Sequence, residues 1–166
     1  SELYDIFNDS CMVTMDSNIP TYVDSWFIES TDIHSIILTS RDSRFREMTL
    51  RELENGIGTQ ILNPPYVNQK EQDNILNDSQ NHVLYDAGVY YTAGQNKGER
   101  LKDLISSIRT SCQDSCQDAC QGSCVVPPNY TIVFIDDSIR HIEDVSDHLS
   151  EFDGYAIHYT ESDDIF

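Results

Sequence analysis

Apolar residues recur along this chain in two rhythms, and the changes of rhythm mark the expected elements. "HSIILTSRD" holds a short apolar run at residues 35–38 that stops at Thr39-Ser40-Arg41-Asp42, the pattern of a strand with a polar exit. In "SRFREMTLRELENG", Phe45, Met48, Leu50 and Leu53 trace a helical face and Asn55-Gly56 supplies a stop signal. "IPTYVDSWFIES" predicts a shorter helix with Val23, Trp26 and Phe27 inward. Residues 60–82 are polar, rich in Asn and Gln, with turn chemistry at Asn63-Pro64-Pro65; they are expected to form a loop or flap. "HVLYDAGVYYT" predicts two short strands about an Asp86-Ala87-Gly88 turn, so that residues 60–92 together form a candidate cap insertion.

The second half is more regular. Leu101, Leu104, Ile105 and Ile108 in "NKGERLKDLISSIR" give an amphipathic helix. Lys97 stands at its start, where a cation opposes the helix dipole, a conflict that hints at a task other than stability. A cysteine-rich loop is expected at residues 111–128. "TIVFI" then predicts a buried strand ending at Asp136-Asp137. "SIRHIEDVSDHLSEF" predicts a helix burying Ile139, Ile142, Val145, Leu149 and Phe152, closed by Asp153-Gly154, and "YAIHY" a last strand. Strands alternating with helices point to one α/β domain with a mainly parallel sheet.

Charge narrows the partners. The 166 residues carry a formal net charge of −19, which opposes nucleic acid and anionic membranes as ligands. No apolar stretch approaches the roughly 20 residues of a membrane span. The start, "SELYDIFNDS", is acidic and lacks Met and a signal-peptide pattern, which suggests a soluble chain that is a secreted or processed bacterial product or an excised piece. Cys112, Cys116, Cys120 and Cys124 repeat every fourth residue in "SCQDSCQDACQGSC". On a helix, neighbouring members of that series would share a face and could chelate a soft metal, or they could form disulfides. The spacing matches no zinc finger, and a surface-loop repeat is the simpler reading.

In parallel α/β sheets ligands bind beyond the carboxyl ends of the strands, where Thr39, Asp136 and Asp137 should lie. Two adjacent carboxylates are costly there unless a cation neutralises them, and Mg²⁺ suits one or two carboxylates plus phosphate oxygens. The plainer alternative is that both aspartates cap the following helix.

Three segments in order, "SIILTSR", "NKGERL" and "IVFIDDS", resemble the second, third and fourth motifs of the haloacid dehalogenase (HAD) phosphohydrolase superfamily. "LTSRDSRFREMTLRELENGIG" and "FIDDSIRHIEDV" resemble a branch of it known mainly from intracellular bacteria. The resemblance implies a three-layer Rossmannoid α/β sandwich. It implies that Thr39 bonds the transferring phosphoryl group, helped by Ser40 and Arg41. Lys97 would neutralise charge, and Asp136 and Asp137 would hold Mg²⁺. The first motif, D-x-D-x-T/V with its nucleophilic Asp, has no clear counterpart: "MVTMDSNIPT" offers Asp16 and Asn18 but places Pro20 fifth. The expectation is therefore a Mg²⁺-dependent phosphatase or phosphotransferase acting on a phosphorylated substrate, lacking its first strand here. The alternative is a non-catalytic module of the same architecture. The five histidines are expected to be solvated.

Overall fold

The apolar run before Thr39 forms β1 (Ile37–Thr39), a strand of three residues in which Leu38 turns towards the core. The structure, a computed structural model, describes residues 34–56, 62–118 and 131–159, with the backbone alone for 114–118. After β1, a 3-10 turn at Ser43–Phe45 is capped by Asp42, whose carboxylate accepts from the Arg44 N–H. It leads directly into α1 (Arg46–Gly56). Next come α2 (Gln69–Glu71), capped by Asn68 and continued as a π turn over Gln72–Leu76, and the hairpin β2 (Leu84–Asp86) and β3 (Val89–Tyr91). The long helix α3 (Lys97–Asp118), β4 (Thr131–Asp136), α4 (Ile139–Leu149) and β5 (Asp153–His158) complete the order.

Among the described residues the strands form two small sheets. In one, ordered β1-β3-β2, β1 runs parallel to β3 with Leu38 opposite Tyr90, and β2 pairs antiparallel with β3. The hairpin turn has φ of +48° at Ala87 and +85° at Gly88, the left-handed pair that lets two residues reverse twisted strands. In the other sheet β4 and β5 are parallel, Val133 opposite Tyr155 and Ile135 opposite Ile157, with α4 as the crossover.

Helix α3 ties these parts together. Its Leu101 and Ile105 pack with Phe134, Ile142, Val145 and Leu149, while Leu104, one turn round, packs with Leu76, Val83, Tyr85 and Tyr90. Leu38 touches both clusters. Full burial of a leucine such as Leu104 contributes about 1.5–3 kcal/mol, so these contacts fix α3 against both sheets.

The α/β reading holds as a mixed arrangement of helices and small sheets. Several expectations change. The polar stretch expected to be loop or flap contains α2 and the π turn, and its Leu76 is fully buried. The candidate cap region also supplies β3, the central strand of its sheet. The cysteine segment is helical as far as Asp118, because the Ser-Cys-Gln-Asp repeat simply prolongs α3; residues 119–130 lie outside the described part. Helix α4 stops at Leu149, and Asp153-Gly154 opens β5 instead of only closing the helix. Ile139 is exposed, because its place in the first turn sets it at the edge of the Ile142–Val145–Leu149 stripe. Strand β4 is buried on one face only, with Val133 and Ile135 on the other. The helix expected around Trp26 lies outside the described residues.

Candidate functional site

The C-terminal end of β1 is held by the continuation of β3. The Thr92 N–H donates to the Thr39 carbonyl at 2.9 Å, Ala93 N–H to the Arg41 carbonyl at 3.0 Å, and Gly94 N–H to the Ser40 carbonyl at 2.9 Å. The Thr92 hydroxyl adds a bond of 3.0 Å to the same Thr39 carbonyl. Ala93 and Gly94 adopt φ of +52° and +77°, which turns the chain so that these donors face the loop. The Thr39 hydroxyl oxygen accepts from the Arg41 N–H at 3.2 Å, leaving its own proton to donate. Arg41 does not point to the strand end: its guanidinium bonds Thr49 at 3.1 Å and pairs with Glu52 on α1. Arg44 is held by Asp42 beside it.

The start of α3 faces the same end. Asn96 caps it, its side-chain oxygen accepting from the Glu99 N–H at 3.0 Å. The Lys97 ammonium lies 2.7 Å from Asp136 Oδ2, at the end of β4. The two side chains are only 6% and 10% exposed, so this is a nearly dry ion pair. It explains why a cation tolerates a helix N-terminus here: the Asp136 carboxylate outweighs the dipole's modest penalty. Gly98 allows the approach. A Cβ there would fall 2.1 Å from the Asp144 carbonyl and 2.7 Å from His148 Nδ1 on α4.

Asp136 gathers further donors. Its Oδ1 accepts from the Ser138 N–H at 2.9 Å and lies 3.1 Å from His141 Nδ1. The other ring nitrogen, Nε2, is 3.3 Å from Ser40 Oγ. Lys97, Asp136, His141 and Ser40 thus form a continuous hydrogen-bonded string between the ends of β4 and β1. Burial pushes the Asp136 carboxyl up, but the Lys97 hydrogen bond, the Ser138 N–H, the Lys97 charge and His141 together outweigh it and hold the carboxyl below its ordinary value.

The adjacent aspartates therefore have different surroundings. Asp136 is neutralised by Lys97, whereas Asp137 is exposed and its backbone carbonyl lies 3.1 Å from His158 Nε2. The expected helix capping is not seen: Ser138 holds the N-cap position of α4 without a side-chain cap bond, and Asp136 accepts instead from the Ser138 N–H two residues on, a turn ahead of the helix. Among the described residues, no group of three or more His, Cys, Asp or Glu is arranged to hold a metal ion. Cys112 is half-buried on α3 and Cys116 follows one turn on; Cys120 and Cys124, like Asp16 and Asn18, lie outside the described residues.

Of the residues singled out by sequence, Ser40, Lys97 and Asp136 are linked, Thr39 and Asp137 adjoin them in the chain, and Arg41 turns away. The residue that sequence reasoning missed is His141, which is half-buried and bonded at both nitrogens rather than solvated. Its only signal was its place in the first turn after the acidic pair.

The string combines a hydroxyl, an imidazole, a carboxylate and an ammonium. Such a set can move a proton from Ser40 while Lys97 attends to negative charge.

No curated protein and no solved structure matches the chain. Residues 2–114 match DUF2608, a family described as a protein of unknown function. The match includes Thr39, Ser40 and Lys97 and stops before Asp136 and His141. It corrects the assignment to the haloacid dehalogenase superfamily drawn from "SIILTSR", "NKGERL" and "IVFIDDS", because nothing in the comparisons shows that membership. The match takes in well over half of the 166 residues, and the chain belongs to the DUF2608 family.

Proposed function

We propose that this protein binds a phosphorylated small molecule at the C-terminal ends of β1 and β4 and transfers or hydrolyses its phosphoryl group. The observation that carries the reading is the nearly buried Lys97–Asp136 pair, linked through His141 to the exposed hydroxyl of Ser40. On a chain of net charge −19, an anionic substrate needs a local cation, and Lys97 supplies one.

An ammonium has three donors, and Asp136 takes one. The others are available to phosphoryl oxygens, and the Thr39 hydroxyl can donate to a third oxygen. Ser40 is the nucleophile that the described residues offer. Its Oγ bonds to phosphorus while its proton passes to His141 Nε2; the bond to the leaving oxygen breaks, and that oxygen takes the proton from His141. Water then attacks phosphorus, gives a proton to His141, and releases phosphate as the Ser40 oxygen is reprotonated. Asp136 orients the imidazole throughout.

Asp137 presents an open carboxylate beside the site, which suits the way Mg²⁺ binds through one or two carboxylates and substrate oxygens, though not an all-protein cage. Asp137, with Asp136 beside it in the chain, would hold Mg²⁺, which would supply further charge neutralisation. The same reading takes the two small sheets as parts of one mainly parallel sheet in a three-layer α/β arrangement.

The test is hydrolysis of p-nitrophenyl phosphate by the full chain with Mg²⁺. Lys97→Ala, Ser40→Ala and Asp137→Asn should each lower turnover by about 10²-fold or more, with circular dichroism unchanged. Equal rates in wild type and all three variants would remove the reading. A second reading, a module that binds phosphate without turnover, is favoured by the mutual engagement of Lys97 and Asp136. Phosphate binding that depends on Lys97 without any hydrolysis would select it.

A further inference from the structure

The chain has 10 Lys and Arg residues, and all of them fall within the described part. Residues 1–33, 57–61, 119–130 and 160–166 contain none, so they can bring no lysine or arginine to the site beside Lys97. The arginines nearest to Ser40 in the chain are engaged elsewhere. Arg41 pairs with Glu52 and bonds Thr49. Freeing it would strand the Glu52 carboxylate, whose Oε1 is buried and has no hydrogen-bond partner among the described residues. Arg44 grips both oxygens of Asp42, and Arg46 is shared by Glu47 and Asp86. Farther along α3, Arg100 pairs with Asp103 and Lys102 with Glu151. Arg109 lies over the Phe152 ring, about 18 Å along the helix from Lys97. Lys70 belongs to α2, whose cap Asn68 bonds Ser111, about 21 Å along α3 from Lys97. Arg51 and Arg140 are exposed, the first on the side of α1 opposite buried Thr49, the second on the side of α4 opposite buried Ile142 and Leu149.

Lys97 is thus the one cation of the chain directed into the site, and it already faces Asp136. His141 must be neutral at Nε2 to take the Ser40 proton, so it adds no standing charge. With exposed Asp137 beside them, the ionised groups of the site carry a net negative charge. Mg²⁺ on Asp137 reverses that by two charges, and a phosphoryl group of about −2 reverses it back. No positive charge is left over for a second anionic group, and the −19 of the whole chain opposes one. We propose that the substrate is a phosphate monoester whose remainder is neutral or cationic, with an aminoalkyl phosphate fitting best. Bisphosphates and phosphates that carry a further acid group are rejected by charge. Asp137, exposed just past β4, is the carboxylate that discriminates. The inference rests on the phosphoryl reading of the site and names its substrate class.

Three ligands that share an ethyl phosphate core test it: phosphoethanolamine with a cationic tail, ethyl phosphate with none, and 2-phosphooxyethanesulfonate with an anionic tail that binds Mg²⁺ poorly. Each is titrated into the full chain with Mg²⁺, and Kd is read from the amide shifts of Thr39, Ser40 and Lys97, so that turnover is not required. Phosphoethanolamine should bind about tenfold or more tightly than the sulfonate, with ethyl phosphate between them. The ratio should shrink as ionic strength rises. Asp137→Lys should cancel or reverse the order; the salt dependence of wild type reads the same charge effect if that variant fails to fold. Lys97→Ala should weaken all three ligands. Equal affinities through Lys97, tightest binding of the sulfonate, or an order indifferent to salt would overturn the substrate class and leave the phosphoryl site standing. Failure of all three to bind wild type, or binding unchanged in Lys97→Ala, would overturn the site and this inference with it.

Discussion

Lys97 and Asp136, 39 residues apart in sequence, meet at 2.7 Å with both side chains almost out of water. The pair joins the first turn of α3 to the last residue of β4, and through His141 it reaches the exit of β1. Each charge justifies the burial of the other, so the pair should act as a unit in stability as well as in chemistry.

Breaking it from either side should be costly. Asp136→Asn leaves a nearly buried ammonium without its counter-charge, and Lys97→Met leaves a nearly buried carboxylate with only Ser138 and His141. Each variant should lose about 3–5 kcal/mol, and the double variant much less than the sum. Urea denaturation of the four proteins checks this; strictly additive losses would show that the two residues do not interact.

The pair also sets a pH dependence. The Asp136 carboxyl lies below its ordinary value of 3.8 in the folded protein, so the stability it contributes is fully present above 3.8 and is lost as pH falls through the lowered folded value. The stability gap between wild type and Asp136→Asn should be constant near neutrality and shrink below about pH 4. Denaturation midpoints measured across that range would show it. A gap that widens on acidification would contradict the sign.

Gly98 sets the distance between α3 and α4. Alanine is ordinarily better than glycine inside a helix by about 1 kcal/mol. Here its Cβ would meet backbone of Asp144 at 2.1 Å, which side-chain rotation cannot relieve. Gly98→Ala should therefore destabilise the protein by about 1–3 kcal/mol and loosen the Lys97–Asp136 bond as α3 moves away. Thermal melts would register the first effect, and a lower phosphate affinity the second. A stabilised variant would show that the helices are not in such close contact.

The sequence carried the local elements and not the contacts between them. Leu101, Leu104, Ile105 and Ile108 announced α3 because their spacing is that of a helix face. The hairpin was legible from Asp86-Ala87-Gly88 between apolar runs. α2 was not, because "QKEQDNILND" has little apolar periodicity and Leu76 alone of its residues is a buried hydrophobic. The one-sided burial of β4 was equally hidden: "TIVFI" is apolar at four positions, and only packing against α3 and α4 selects Ile132 and Phe134. At the site, Lys97 gave a signal through its conflict with the helix dipole. His141 gave almost none, because its partner Ser40 stands 101 residues away.

The most direct test of the central claim is a titration of the isotope-labelled full chain with inorganic phosphate and Mg²⁺, followed by amide and imidazole NMR shifts. Changes should concentrate at Thr39, Ser40, Lys97, Asp137, Ser138 and the His141 ring, and should vanish in Lys97→Ala at matched ionic strength. Shifts that are absent from wild type, or that scatter over the acidic surface and persist in Lys97→Ala, would contradict a phosphoryl site at the ends of β1 and β4.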